Sequence, residues 1–283
     1  MKTNLFFNCF LVILALMLGA CELTQVVEVD LPDYTSQPVV ECYLEPGKPF
    51  RLLLTRSYAF FDPLGLDTSF LEKTLITGAV VRIAYDGDTI VLPNTLTAEP
   101  DPLKYFNYTA STLVPATPGV EYTLDVVLPE GGGISGKTTM LPKVSWDSMV
   151  VERSPGDTGL YRVLAYMTDD LNATNYYRRL FSINRIDTVP EQDFLVDDDL
   201  NATGLFVFGS GFQLKYRYEA YNTIVHISKD YYDFVESVQL ATAGNENPFQ
   251  QPSPIKSNVY GTANPLGIFT SLVYDREKTI VGE

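Results

Sequence analysis

From residue 37 onward the chain is written in short runs of alternating apolar and polar residues, and most runs end in a Pro, Gly or Asp turn. A period of two sends alternate side chains to opposite faces of a strand, so such runs fold as half-buried β-strands. Val39–Leu44 and Phe50–Thr55 flank Glu45-Pro46-Gly47-Lys48. Ala79–Tyr85 and Thr89–Leu92 flank Asp86-Gly87-Asp88, where Asp-Gly supplies the positive φ of a tight hairpin. Glu121–Leu128 and Ile134–Met140 flank Glu130-Gly131-Gly132-Gly133. The strand from Tyr122 follows Pro118-Gly119, as in immunoglobulin-like and fibronectin-like modules. Residues 37–142 therefore hold about one sandwich.

Pro142 marks the expected boundary, and residues 143–283 open a second set of strands. Ser145–Val151, Leu160–Met167, Tyr176–Arg185, Gly204–Phe208, Phe212–Tyr218 and Thr223–Ser228 continue it, and strands near Leu266–Tyr274 and Lys278–Val281 close it. One segment breaks the period of two. Tyr231, Phe234, Val235 and Val238 fall at i, i+3, i+4, i+7, which predicts a helix near 229–243, capped by Ser228 and ended by Gly244. The fold class expected is all-β: two β-sandwich domains, the first immunoglobulin/fibronectin-like, the second larger and carrying one helix.

The N-terminus reads as an address. Lys2 precedes an apolar run from Leu5 to Leu18, and Leu18-Gly19-Ala20-Cys21 follows. A charged start, an apolar stretch and small residues before cleavage are the parts of a secretory signal. Small residues followed at once by Cys resemble the bacterial lipobox, in which the thiol takes a diacylglycerol and the Cys becomes the first mature residue. The expectation is a signal peptide over 1–20, lipidation at Cys21, a tether over 21–36 and a chain held at the outer membrane by its acyl groups. The alternative is a plain signal anchor. Cys9 leaves with the signal and Cys21 carries lipid, so only Cys42 remains and no intrachain disulfide forms. Cys42 sits in an alternating apolar run and is expected buried and inert.

Charge excludes one class. With 20 Lys and Arg against 35 Asp and Glu, the formal net charge is −15, and no basic cluster occurs. No nucleic-acid partner is expected. A single His, His226, leaves no His pair for zinc and reads as a packed strand residue. Gly131-Gly132-Gly133 lacks the Lys and the helix of a phosphate loop. Pairs of acids carry no information among so many.

Asp197, Asp199 and Asn201 stand at i, i+2, i+4, the spacing of oxygen ligands in a calcium loop, but no Gly lies inside the run and no Glu closes it. A solvated turn is the competing reading; no other cofactor is expected. Asp169-Asp170 with Asn172 and Asn175 is a weaker copy. Tyr176, Tyr177, Tyr216 and Tyr218 cluster in the second set and are candidates for a binding surface, against the ordinary use of aromatics as sandwich core. Asp88-Thr89-Ile90, Asp147-Ser148-Met149 and Asp187-Thr188-Val189 match the Asp-Ser/Thr-apolar pattern of Bacteroidota O-glycosylation.

Several short pieces, in order, resemble one family. They are Glu28-Val29-Asp30-Leu31-Pro32, Pro38-Val39-Val40-Glu41, Leu54-Thr55-Arg56-Ser57, Pro118-Gly119-Val120-Glu121-Tyr122, Asn175-Tyr176-Tyr177-Arg178, Asn247-Pro248-Phe249, Ser257-Asn258-Val259 and Leu266-Gly267-Ile268-Phe269. Together they are similar to the Bacteroidota lipoproteins of domain-of-unknown-function family four-two-four-nine, over essentially the whole mature chain. Cys42 falls where that pattern has Gly. The resemblance implies an outer-membrane lipoprotein, surface exposed, often encoded beside a TonB-dependent receptor barrel. It implies no enzymatic activity and no catalytic residues. The leading expectation is a non-enzymatic accessory or substrate-binding partner of a TonB-dependent transporter; the alternative is a stand-alone surface adhesin or glycan-binding protein.

Overall fold

The computed structural model describes residues 34–58, 73–100, 103–199, 201–246 and 253–282. The signal segment, Cys21 and most of the expected tether lie outside the described residues. The described chain is all-β with one long helix.

Ten strands build the first sandwich. They are β1 (Pro38–Leu44), β2 (Pro49–Arg56), β3 (Val80–Tyr85), β4 (Asp88–Leu92), β5 (Asn94–Pro100), β6 (Leu103–Leu113), β7 (Glu121–Val127) and β8 (Gly133–Thr139), with β16 (Val259–Gly261) and β17 (Leu266–Ser271). One sheet runs β17-β1-β2-β6-β5 and the other β16-β8-β7-β3-β4. Alternation decides the core. Val40, Cys42 and Leu44 of β1 are fully buried against Phe50, Leu52 and Leu54 of β2 and against Tyr122, Leu124 and Val126 of β7. Phe50, Tyr85 and Tyr122 stack at 5.5 and 5.1 Å between centroids. Buried Asn107 takes the Leu54 N–H on its Oδ1 at 2.8 Å and donates to the Leu54 and Ile76 carbonyls at 2.9 Å, satisfying strand-edge groups from within.

The second sandwich takes β9 (Ser148–Arg153), β10 (Leu160–Thr168), β11 (Tyr176–Ile183), β12 (Gln192–Asp197), β13 (Leu205–Gly209), β14 (Leu214–Lys215), β15 (Glu219–Ile227) and β18 (Val273–Ile280). β10 lies between β9 and the successive pair β13 and β14; the facing sheet is β12-β11-β15-β18. Trp146, Met167, Tyr177, Phe208 and Ile224 fill one end of its core, and Val163, Phe181, Leu214 and Ala220 the other.

The expected division at Pro142 gives way here. Strands β16 and β17 come from the last third of the chain, yet they belong to the first sandwich, where β17 pairs in parallel with β1, Val40 opposite Gly267. The single strand expected over Leu266–Tyr274 is two. Leu272 separates β17 in one sandwich from β18 in the other, and its N–H donates to the Leu44 carbonyl at 2.9 Å. Residues 36–283 form one compact unit accordingly. Gly267 makes the parallel pairing fit: its φ is +121°, and a Cβ there would stand 1.9 Å from the Val40 carbonyl oxygen.

The helix α1 (Lys229–Glu246) starts where expected, with Ser228 Oγ accepting the Tyr231 N–H at 3.2 Å. It runs on through Gly244, which does not end it in the left-handed conformation. Its Tyr231, Phe234 and Val235 pack with Tyr43, Val225, Ile227 and Ile268, so the helix wedges between the outer faces of both sandwiches.

Candidate functional site

Where the two sandwiches part, they leave a cleft of about 1000 Å³. Strands β7 and β8 of the first sandwich line one side through Glu121 and Lys137. The Pro142–Ser145 connection, the ends of β10 and β11, and the first residues of α1 line the other.

His226 is the anchor of its floor. Its Nδ1 lies 2.9 Å from the Pro142 carbonyl, which only accepts, so Nδ1 carries the proton and Nε2 keeps the lone pair. Burial pulls its pKa below the usual imidazole value, against the Pro142 bond and the Asp169 charge, so the ring is neutral near pH 7. Tyr177 stands beside it on the neighbouring strand, ring centroids 5.3 Å apart. The Tyr177 hydroxyl donates to Asp169 Oδ1, and Asn175 Nδ2 donates to the same oxygen at 3.1 Å. Asp169 Oδ2 is buried and has no partner among the described residues.

Each lysine that lines the cleft is held by a carboxylate, of which only Glu121 is itself a lining residue. Lys137 pairs with Glu121 at 2.9 Å, Lys143 with Asp275 at 2.7 Å and Lys229 with Asp233 at 2.6 Å. Asp275 also takes the Trp146 N–H at 3.0 Å, tying the connection between sandwiches to β18. Exposed Asp170 accepts from the Asn172 backbone, which lowers its pKa.

The four tyrosines expected as a binding surface do not come together. Tyr176 and Tyr177 are neighbours on β11 and face opposite ways, as a strand dictates. Tyr177 is buried in the second core, whereas Tyr176 packs on Tyr232 of α1 at 5.2 Å. Tyr218 packs into the other end of the core, and only Tyr216 is well exposed. Aromatic core filling took two of the four.

The residues of the calcium spacing fall at the end of a strand and in the turn after it. Asp197 is the last residue of β12, opposite Tyr176, and its Oδ2 accepts from the Tyr232 hydroxyl at 3.4 Å. Asp198 accepts the Asn175 N–H at 2.7 Å, and Asn201 Oδ1 takes the Thr203 hydroxyl at 2.9 Å. The spacing presumes one loop, whereas Asp197 ends a strand and Asn201 lies in the turn that follows, each with its own partner. No group of three or more His, Cys, Asp or Glu among the described residues is placed to hold a metal ion.

The family model described as "Domain of unknown function (DUF4249)" matches residues 24–278. The chain belongs to this family. The DUF4249 match spans both sandwiches and α1, so the return of β17 to β1 lies inside it. No curated protein matches the chain. No helix among the described residues is long and apolar enough to cross a membrane.

Sequence reading missed Asp169, Asn175 and the Pro142 carbonyl as partners around His226. Asp169 and Asn175 were legible only as an Asp/Asn-rich loop, and a backbone carbonyl leaves no mark in sequence. The pairing of Tyr177 with His226 depends on β11 meeting β15 at that register.

Proposed function

We propose that this protein is a lipid-anchored outer-membrane binding protein without catalytic activity, an accessory of a TonB-dependent transporter, and that the cleft at the seam of its sandwiches receives the barrel or its cargo. The observation that carries the reading is the cleft itself. It draws on both sandwiches and on the helix between them, and its three lysines are each held by a carboxylate. His226 supports binding over hydrolysis, because a carbonyl rather than a carboxylate holds its Nδ1. The Leu18-Gly19-Ala20-Cys21 sequence supports the anchor. Family membership is compatible with the reading and assigns no activity. A tethered binder beside a pore works by effective concentration, so modest affinity suffices.

The test is a pull-down of the tagged, lipidated full-length protein from detergent-solubilised outer membranes, read by mass spectrometry. A β-barrel recovered in near-equal amount is the expected result. Recovery of the protein alone overturns the accessory reading.

A further inference from the structure

A second, smaller cleft of about 520 Å³ opens on the other side of α1, between the outer faces of the β1 and β15 sheets, away from the His226 floor. Its size is that of a small-ligand site, roughly 300–1,000 Å³. Five aromatic rings line it: Tyr43, Tyr105 and Phe106 from the first sandwich, Tyr274 from the second, and Tyr231 from the helix. Tyr105 and Tyr274 remain 37% and 38% exposed, so their rings are accessible where core aromatics are not.

The polar groups between these rings are of two kinds. Some are already used: Arg178 grips Asp193 through two bonds of 2.7 and 2.6 Å and donates to the Tyr231 hydroxyl oxygen at 2.8 Å. Others are left over. Arg276 spends its Nε on Thr223 Oγ1 at 2.8 Å and lies 5.3 Å above the Tyr274 ring, and its terminal amino groups make no ion pair among the described residues. Glu41 pairs with no cation at salt-bridge distance among the described residues, and Lys104 acts on it only from a distance. Burial raises the Glu41 pKa.

Charge then selects the ligand class. The lining holds Lys104, Arg178 and Arg276 against Glu41, Glu45 and Asp193, three of each sign, on a chain whose formal net charge is −15. A balanced site gives no net attraction to an anion or a cation. What it offers is apolar ring faces beside planar, multivalent hydrogen-bond partners. A sugar ring presents the complement: C–H faces to lie on aromatic rings and a rim of hydroxyls that both donate and accept. We propose that this cleft binds a neutral saccharide, with Tyr105 and Tyr274 as the ring platforms and Arg276 and Glu41 as the hydroxyl partners. This site is separate from the seam cleft, and the proposal stands without a transporter partner.

The experiment probes an array of neutral and acidic oligosaccharides with the full-length lipidated protein in detergent. Neutral oligosaccharides are retained, and Tyr274→Ala and Tyr105→Ala each weaken retention about tenfold. Tyr260→Ala, at an exposed tyrosine outside both clefts, leaves it unchanged. Tyr105 and Tyr274 are both more than one-third exposed, and a thermal melt of each variant checks that it is folded. Three results overturn the proposal: no neutral oligosaccharide is retained, acidic ones alone are retained, or neither tyrosine variant weakens the signal. None of them bears on the barrel pull-down, whose failure would leave this site standing.

Discussion

Arg179 Nη2 donates to Asn222 Oδ1 at 2.6 Å in the core of the second sandwich, and no carboxylate accompanies the pair among the described residues. Arg179 is fully buried, with Gln192 Oε1 as its second acceptor and the rings of Phe181 and Phe194 at 4.9 and 5.9 Å. Burial alone pulls its pKa down to about 10. The cation is held by neutral dipoles and ring faces, a weaker compensation for lost hydration than a carboxylate gives.

The Asn222 acceptor therefore matters more than an ordinary hydrogen bond. Asn222→Ala is expected to cost about 2–4 kcal/mol, because it strands a buried charge. Combining it with Arg179→Met removes the charge as well, and the double variant should lose less than the sum of the two single changes. Urea unfolding of all three measures this. Strict additivity would mean that charge compensation is not what the pair provides.

Gly267 is where the C-terminal segment fastens to the first sandwich. A Cβ there meets the Val40 carbonyl oxygen, so Gly267→Ala should cost at least about 3 kcal/mol. Gly47 is the control. It too has positive φ, at +78°, but nothing lies within 4 Å of its Cβ position, and Gly47→Ala should cost only about 1–2 kcal/mol. Equal losses would show that steric contact at the β1–β17 pairing is unimportant.

His226 sets a pH dependence. Its folded pKa lies below the unfolded value of 6.5, so the unfolded state binds more protons between the two. Stability is complete above about pH 6.5 and falls as pH drops toward the folded pKa. Glu41, raised by burial, works in the opposite sense just above its unfolded value of 4.5. His226→Asn keeps a donor for Pro142 and should flatten the stability profile below pH 6.5. An unchanged slope would assign the effect to other groups.

Cys42 and Cys21 should behave oppositely. Cys42 is fully buried, its thiol donates to the Arg51 carbonyl at 3.3 Å, and burial pushes its pKa well up. It should resist a thiol reagent in the native protein and react once urea unfolds it. Cys21→Ser should abolish incorporation of labelled fatty acid and release the protein from membranes, with the Cys42 protection unaltered. Labelling that persists in Cys21→Ser would rule out this lipid site.

Much of the architecture was legible because strand formation here is local. The runs at Val39–Leu44, Glu121–Leu128 and Leu160–Met167 became strands within a residue or two, since alternation writes the buried face directly into sequence. The start of α1 was legible for the same reason, through Ser228 and the spacing of Tyr231, Phe234 and Val235. Strands β5, β6 and β12 were harder to see. Leu103, Tyr105 and Phe194 are exposed apolar residues, so polarity does not alternate cleanly with burial along them.

Sequence alone determined an all-β chain and placed Cys42 on the buried face of its first strand. Tertiary structure decided which strands share a sheet and which side chains share a cleft. Pairing joins residues more than 200 positions apart, as Val40 and Gly267 show, and a period of two is blind to partner choice. The same holds for His226 with Pro142 and for Tyr105 with Tyr274: each contact or shared cleft arises where separate strands end, and nothing local to either residue encodes the other.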